Sequence, residues 1–166
     1  MLSDPFAVHL AGVWRASSNE QPPGSPPVAA AKVDADPLIL QGRRVVIVED
    51  EAITQIQLRK ICLTAGMQVV GLAADGESGV RIALETHPDI VLMDIKMPVL
   101  DGLTAAERIL RELSVCVVML TAYDLEDYQQ RAKAIGTCGY VLKPFTGAVL
   151  VPKLQAAYRV YQQRQP

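Results

Sequence analysis

In IVLMDIKMP, residues 90–98, an apolar run ends on a carboxylate, Asp94, and a proline follows at 98. An ionised carboxylate stranded in a dry interior is costly, so Asp94 belongs at the C-terminal edge of a strand, where something polar or cationic meets it. Three other apolar runs end in a similar way: RVVIV leads into Glu49 and Asp50, VCVVML into Thr121, and CGYVL into Lys143. If these ends meet, three carboxylates within about 4 Å repel by roughly 4 kcal/mol per pair at an effective dielectric of about 20, so they stay together only if a cation holds them. No His or Cys is placed to bind zinc, and a site of carboxylate, carbonyl and water oxygens suits Mg2+. A nucleophilic aspartate beside that ion, with an ammonium opposite and a hydroxyl nearby, is suited to in-line capture of a phosphoryl group, with an aspartyl phosphate as the product.

Five strand and helix pairs would bring these residues together. The spacing predicts strands at 44–49, 68–73, 90–94, 115–120 and 138–142, and helices at 51–66, 76–86, 103–112, 124–135 and 146–163. In the first helix Ile53, Leu58, Ile61, Cys62 and Ala65 fall largely on one face, and Gly66 stands at a typical C-terminal cap. Strands rich in Val, Ile and Leu, with little polar alternation, need helices on both faces of a parallel sheet. The fold class expected is α/β, a doubly wound five-stranded parallel sheet. In such folds the functional crevice lies at the carboxyl ends of the strands, where the polar residues fall.

Composition divides the chain. Residues 1–40 hold six of the eleven prolines, including PPGSPP at 22–27, and the only tryptophan, Trp14. With no strand or helix period they are expected to be a disordered, Pro-rich extension, functional or the product of a mis-assigned start, ahead of a domain at 41–166. The chain has sixteen Lys and Arg against eighteen Asp and Glu. The extension carries four of the acids and two of the bases, which leaves fourteen of each from Gln41 onward and no basic footprint for nucleic acid. Cys62, Cys116 and Cys138 are far apart and lack the paired spacing of zinc or redox motifs, so reduced core thiols are expected. FAVHLAGVW at 6–14 is short and has no basic stretch before it, and no other apolar run reaches the ~20 residues of a membrane span. A cytoplasmic location is expected.

Four motifs, in this order, resemble the receiver domain of two-component response regulators: VEDE at 48–51, MDIKMPVLDG at 93–102, LTA at 120–122 and YVLKPF at 140–145. The resemblance covers about Arg43–Arg164 and implies the flavodoxin-like strand order 2-1-3-4-5. It implies that Asp94 accepts a phosphoryl group, and that Asp50 binds Mg2+ directly with Glu49 acting through water and the Lys96 carbonyl completing the ligands. Thr121 and Lys143 would contact phosphoryl oxygens, and Tyr140 would be an aromatic switch that turns inward on phosphorylation. Lys96 and Tyr123, two residues beyond the nucleophile and the threonine, would tune dephosphorylation. Lys143–Pro144 is expected to be cis, and Lys143 to project into a solvated crevice. Glu49 stands where the family more often has Asp.

Each residue taken singly has an ordinary structural explanation: Asp50 and Glu51 as first-turn acids, Thr121 as a cap, Lys143 as a solvated side chain, Tyr140 as core. Their recurrence at four strand ends is what argues for chemistry. The function expected is a phosphorylation-activated switch that catalyses only its own phosphorylation and slow dephosphorylation. Its partners would be a sensor histidine kinase or histidine phosphotransfer protein, and an effector or second copy meeting the fourth helix, fifth strand and fifth helix. Similar receivers precede RNA-binding antiterminator domains, but no such helical tail follows here, and no helix-turn-helix follows Leu150. A phosphorelay intermediate is one alternative. An aspartyl phosphatase is another, although it would want an acid where Lys96 stands, and a flavin module would want a Ser, Thr and Gly loop where Glu49, Asp50 and Glu51 stand.

Overall fold

The apolar runs become five parallel strands, β1 (Arg44–Val48), β2 (Gln68–Ala73), β3 (Ile90–Asp94), β4 (Cys116–Thr121) and β5 (Gly139–Leu142), paired in the order β2-β1-β3-β4-β5. This computed structural model describes residues 9–10, 13–14, 36, 38–122 and 126–165, with 9–10, 13–14 and 126 described in backbone only. Five helices alternate with the strands: α1 (Ala52–Thr64), α2 (Gly76–Thr86), α3 (Gly102–Glu112), α4 (Glu126–Ala134) and α5 (Gly147–Arg164).

Successive strand side chains point to opposite faces, and two cores result. Val45, Ile47, Ile90, Leu92, Cys116, Val118 and Leu120 join Leu58, Cys62, Leu150 and Leu154 of α1 and α5. Val46, Val48, Val91, Met93, Val117 and Met119 join Ala83, Leu103, Ala106 and Ile109 of α2 and α3, with Ala132 of α4. Each large apolar side chain so buried contributes about 1.5–3 kcal/mol relative to exposure. Both faces are apolar, so the strands read as continuous hydrophobic runs.

Local signals fix the joins. Gly66, at φ +80°, follows the Ala65 cap of α1 in the left-handed conformation that glycine adopts at no steric cost. Asp75 caps α2 by accepting from the Ser78 N–H at 2.8 Å, and Asp101 caps α3 by accepting from the N–H groups of Leu103 and Thr104, each at 3.1 Å. On α1, Leu58 and Cys62 are buried as the helical period requires, but Ile53 is 78% exposed: the first turn stands clear of the sheet, at the mouth of the strand ends.

Two features depart from the sequence reading. His9–Leu10 and Val13–Trp14 form a short antiparallel pair, and Val13 pairs with Gly139 of β5, so among the described residues the sheet has seven strands with an antiparallel edge. Each is only two residues long, too short for a strand period to show. Ile39 and Leu40, before the expected boundary at 41, are 8% and 1% exposed and pack in the core of α1 and α5. The expectation of disorder for the rest of residues 1–40 falls outside the described residues.

All three cysteines are free and buried. Burial pushes the Cys62 thiol up to about 12. Cys116 and Cys138, distant in sequence, are neighbours near the amino ends of β4 and β5, and burial holds Cys116 well above the ordinary thiol range.

Candidate functional site

At the carboxyl end of β1 the Glu49 N–H donates to the Ala73 carbonyl at 2.9 Å, and the Gln55 side-chain amide donates to the carbonyls of Glu49 and Ala73 at 3.2 and 3.0 Å. These bonds fasten the turn so that the Glu49 side chain points inward, 1% exposed, while Asp50 stays exposed beside it. At the end of β3, Asp94 is 6% exposed. The loop after it folds back through a bond from the Gly102 N–H to the Ile95 carbonyl at 2.9 Å. A Cβ at 102 would overlap the Asp94 carbonyl oxygen, so only glycine permits that return path. The Lys143 N–H donates to the Thr121 carbonyl at 2.7 Å, tying the ends of β4 and β5 together, and Lys143–Pro144 is cis.

Carboxylate oxygens of Glu49, Asp50 and Asp94 all lie within 4.8 Å of one another. Lys143 Nζ reaches Glu49 Oε2 at 2.6 Å and Asp94 Oδ1 at 3.1 Å. Glu49 Oε2, buried from solvent, thus has the Lys143 ammonium as its charge partner. The lysine side chain is 18% exposed, less solvated than the sequence reading has it, because two buried acids draw it in. Burial pushes Glu49 and Asp94 above the ordinary carboxylate range, opposed in both by Lys143, while each also feels a neighbouring acid. Burial acts to lower the Lys143 ammonium, but its bonds and charge interactions with Glu49 and Asp94 outweigh that and hold it above the usual lysine value. Three clustered carboxylates are a donor set that fits a hard divalent cation.

On the other side of Asp94 lies a cavity of about 90 Å³, lined by Asp94, Ile95, Lys96, Thr121, Ala122, Tyr128 and Lys143. Thr121 is 4% exposed and Lys96 is exposed. The fold thus gathers Glu49, Asp50, Asp94, Thr121 and Lys143, with Lys96 at the rim. Tyr140 is 7% exposed and already turned into the core beneath α3 and α4. Tyr123 lies outside the described residues. Tyr128 is a lining residue that the sequence reading lacks; its place depends on the rotation of α4, which the polar sequence of that helix does not fix.

Comparison with known proteins agrees with this geometry. Residues 45–155 match the family model described as the response regulator receiver domain. The transcriptional regulatory protein PdtaR of Mycobacterium tuberculosis is 39% identical over 124 residues, which cover 75% of this chain and 60% of PdtaR. The chain therefore spans less than two thirds of that relative. The response regulator domain of Thermotoga maritima CheB superposes with a TM-score of 0.66 at 29% identity, covering 76% of this chain and all of that one. CheY from Borrelia burgdorferi, in a complex with CheX, BeF3 and Mg2+, superposes with a TM-score of 0.69 at 28% identity, covering 71% of this chain and 90% of that one. The acid cluster, the five-stranded parallel order and these matches coincide on one stretch of sequence: the chain belongs to the response regulator receiver domain family.

Proposed function

We propose that the domain switches state when Asp94 accepts a phosphoryl group from a histidine kinase or histidine phosphotransfer protein. The observation that carries this reading is the convergence of Asp94, the acid pair Glu49 and Asp50, and Lys143 beside a cavity at the strand ends. Glu49, Asp50, Asp94 and the Lys96 carbonyl would hold Mg2+, which when bound offsets negative charge on the transferring group. The Asp94 carboxylate attacks phosphorus in line as the phosphorus–nitrogen bond to the donor histidine breaks and its electron pair leaves on the imidazole nitrogen, while Lys143 neutralises an equatorial oxygen and the Thr121 hydroxyl donates to another. Lys143 must leave Glu49 for that role, so phosphorylation exchanges an internal ion pair for a contact with the phosphoryl group.

The acyl phosphate carries about −1.5 to −2 charge where the carboxylate carried a single one, and it brings new acceptor oxygens. Thr121 and Lys143 end the two strands nearest α4 and α5, so a pull on either reaches the face formed by α4, β5 and α5, which would carry an effector or second copy. Tyr140 lies between these layers and would hold its inward position in the active state. No helix among the described residues is long and apolar enough to cross a membrane, which accords with a cytoplasmic switch.

The test is incubation with acetyl phosphate and Mg2+ followed by intact mass measurement. One added phosphoryl group, absent in Asp94→Asn, is expected. Equal labelling of the variant would place the acceptor elsewhere.

A further inference from the structure

Beside the acceptor cavity lies a second one of about 450 Å³, lined by Ile95, Lys96, Met97, Asp101, Tyr128 and Arg131. The first, of about 90 Å³, is several times the ~10–15 Å³ that one water needs, so it has room for a phosphoryl group with a water; the second falls in the range of about 300–1,000 Å³ typical of small-molecule sites. Three residues line both: Ile95, Lys96 and Tyr128. Ile95 is buried in the floor and Lys96 is an exposed, flexible chain at the rim. Tyr128 differs from both. It stands in the first turn of α4, is half-buried, and packs against the core beneath α3 and α4, so that it forms a wall common to both cavities.

We propose that the Tyr128 ring separates the acceptor cavity from the larger one and so limits how fast water reaches a phosphoryl group on Asp94. The inference rests on Asp94 being the acceptor. In hydrolysis a water oxygen bonds to phosphorus opposite Asp94, the bond from phosphorus to the Asp94 oxygen breaks with its electron pair returning to the carboxylate, and the water's proton passes to the phosphate released. That trajectory needs a water held in line, and an apolar ring beside the cavity restricts the supply of such waters. Without the ring, the acceptor cavity opens into a space five times its size, bordered by Lys96 and Arg131, which attract water and anions alike.

The experiment phosphorylates wild type, Tyr128→Phe, Tyr128→Leu and Tyr128→Ala with acetyl phosphate and Mg2+, removes the donor, and follows loss of the phosphoryl group by intact mass. Tyr128→Phe keeps the partition and should decay within about twofold of wild type, while Tyr128→Ala should decay roughly threefold faster or more, with Tyr128→Leu between them. Melting curves of the unphosphorylated proteins show whether the small variant remains folded, and Tyr128→Leu carries the test if Tyr128→Ala does not. Decay of the Ala and Leu variants at the wild-type rate overturns the proposal. So does Tyr128→Phe decaying as fast as Tyr128→Ala, which would assign the effect to the hydroxyl. If wild type takes up no phosphoryl group at all, the assignment of Asp94 falls and this proposal falls with it.

Discussion

The two ends of the sheet handle buried polar groups in opposite ways. At the carboxyl ends, Glu49 and Asp94 are almost fully buried and kept in check by one ammonium, Lys143, shared between them. At the amino ends, Cys116 and Cys138 are equally buried but are thiols, which burial favours in their neutral form. One end stores electrostatic tension that a cation or a phosphoryl group can alter. The other has nothing to release.

The largest effect expected separates two glycines. Gly102→Val should cost on the order of 3 kcal/mol or more, read as a shift in urea midpoint, because the new side chain meets the Asp94 carbonyl. Gly136→Ala, at the thiol end, meets nothing within 4 Å but sits at φ +95°, so about 1 kcal/mol is expected. Equal costs would mean that the loop after Asp94 is looser than its geometry shows.

Lys143→Ala should come next. It leaves two buried carboxylates facing each other, and a loss of about 2–3 kcal/mol in EDTA, much of it recovered on adding Mg2+, is expected from thermal melts. If Cys116→Ser costs as much and also responds to Mg2+, the contrast between the ends is wrong.

A smaller effect tests the loop after Asp94 by pH. Burial acts to raise the Asp101 pKa, but hydrogen bonds from the Thr104 side chain and backbone, the charge of Arg131 and the Leu103 N–H hold it below the ordinary value. A carboxylate depressed in the fold contributes stability above its unfolded value of about 3.9, and that stability is lost as pH falls through the lower folded value. Asp101→Asn still caps α3, so its stability should fall less below about pH 4 than that of wild type, whereas Asp101→Ala should lose about 1 kcal/mol at neutral pH. Parallel pH profiles for wild type and the Asn variant would remove Asp101 from the acid response.

The smallest effect is a gain. Val99, 84% exposed, has φ +68°, a left-handed conformation that a β-branched side chain resists. Val99→Gly should raise stability by up to about 1 kcal/mol in chemical denaturation. No change would show that the strain is relieved in solution.

The strands, the helices and the strand-end residues were legible because they depend on local pattern. An apolar run that stops at Glu49, Asp94, Thr121 or Lys143 declares both the strand and its end. What was not legible depends on rotation or register. Tyr128 reaches the acceptor cavity through the phase of α4, a helix too polar to show which side it buries. Cys116 meets Cys138 only because β4 and β5 pair in one register, with Val118 opposite Gly139. Ile53 fits the apolar stripe of α1 yet lies beyond the sheet that the stripe covers.

The strand pair at His9–Leu10 and Val13–Trp14 has a consequence for colloidal behaviour. The outer side of β5 would otherwise present unpaired amides, a template on which extended segments of other molecules can add and grow into cross-β aggregates. Val13 sits opposite Gly139, the residue of β5 without a side chain to obstruct such an approach. The pairing of Val13 there covers that part of the edge with the chain's own backbone, and an edge so occupied offers less of a template for fibrillar growth.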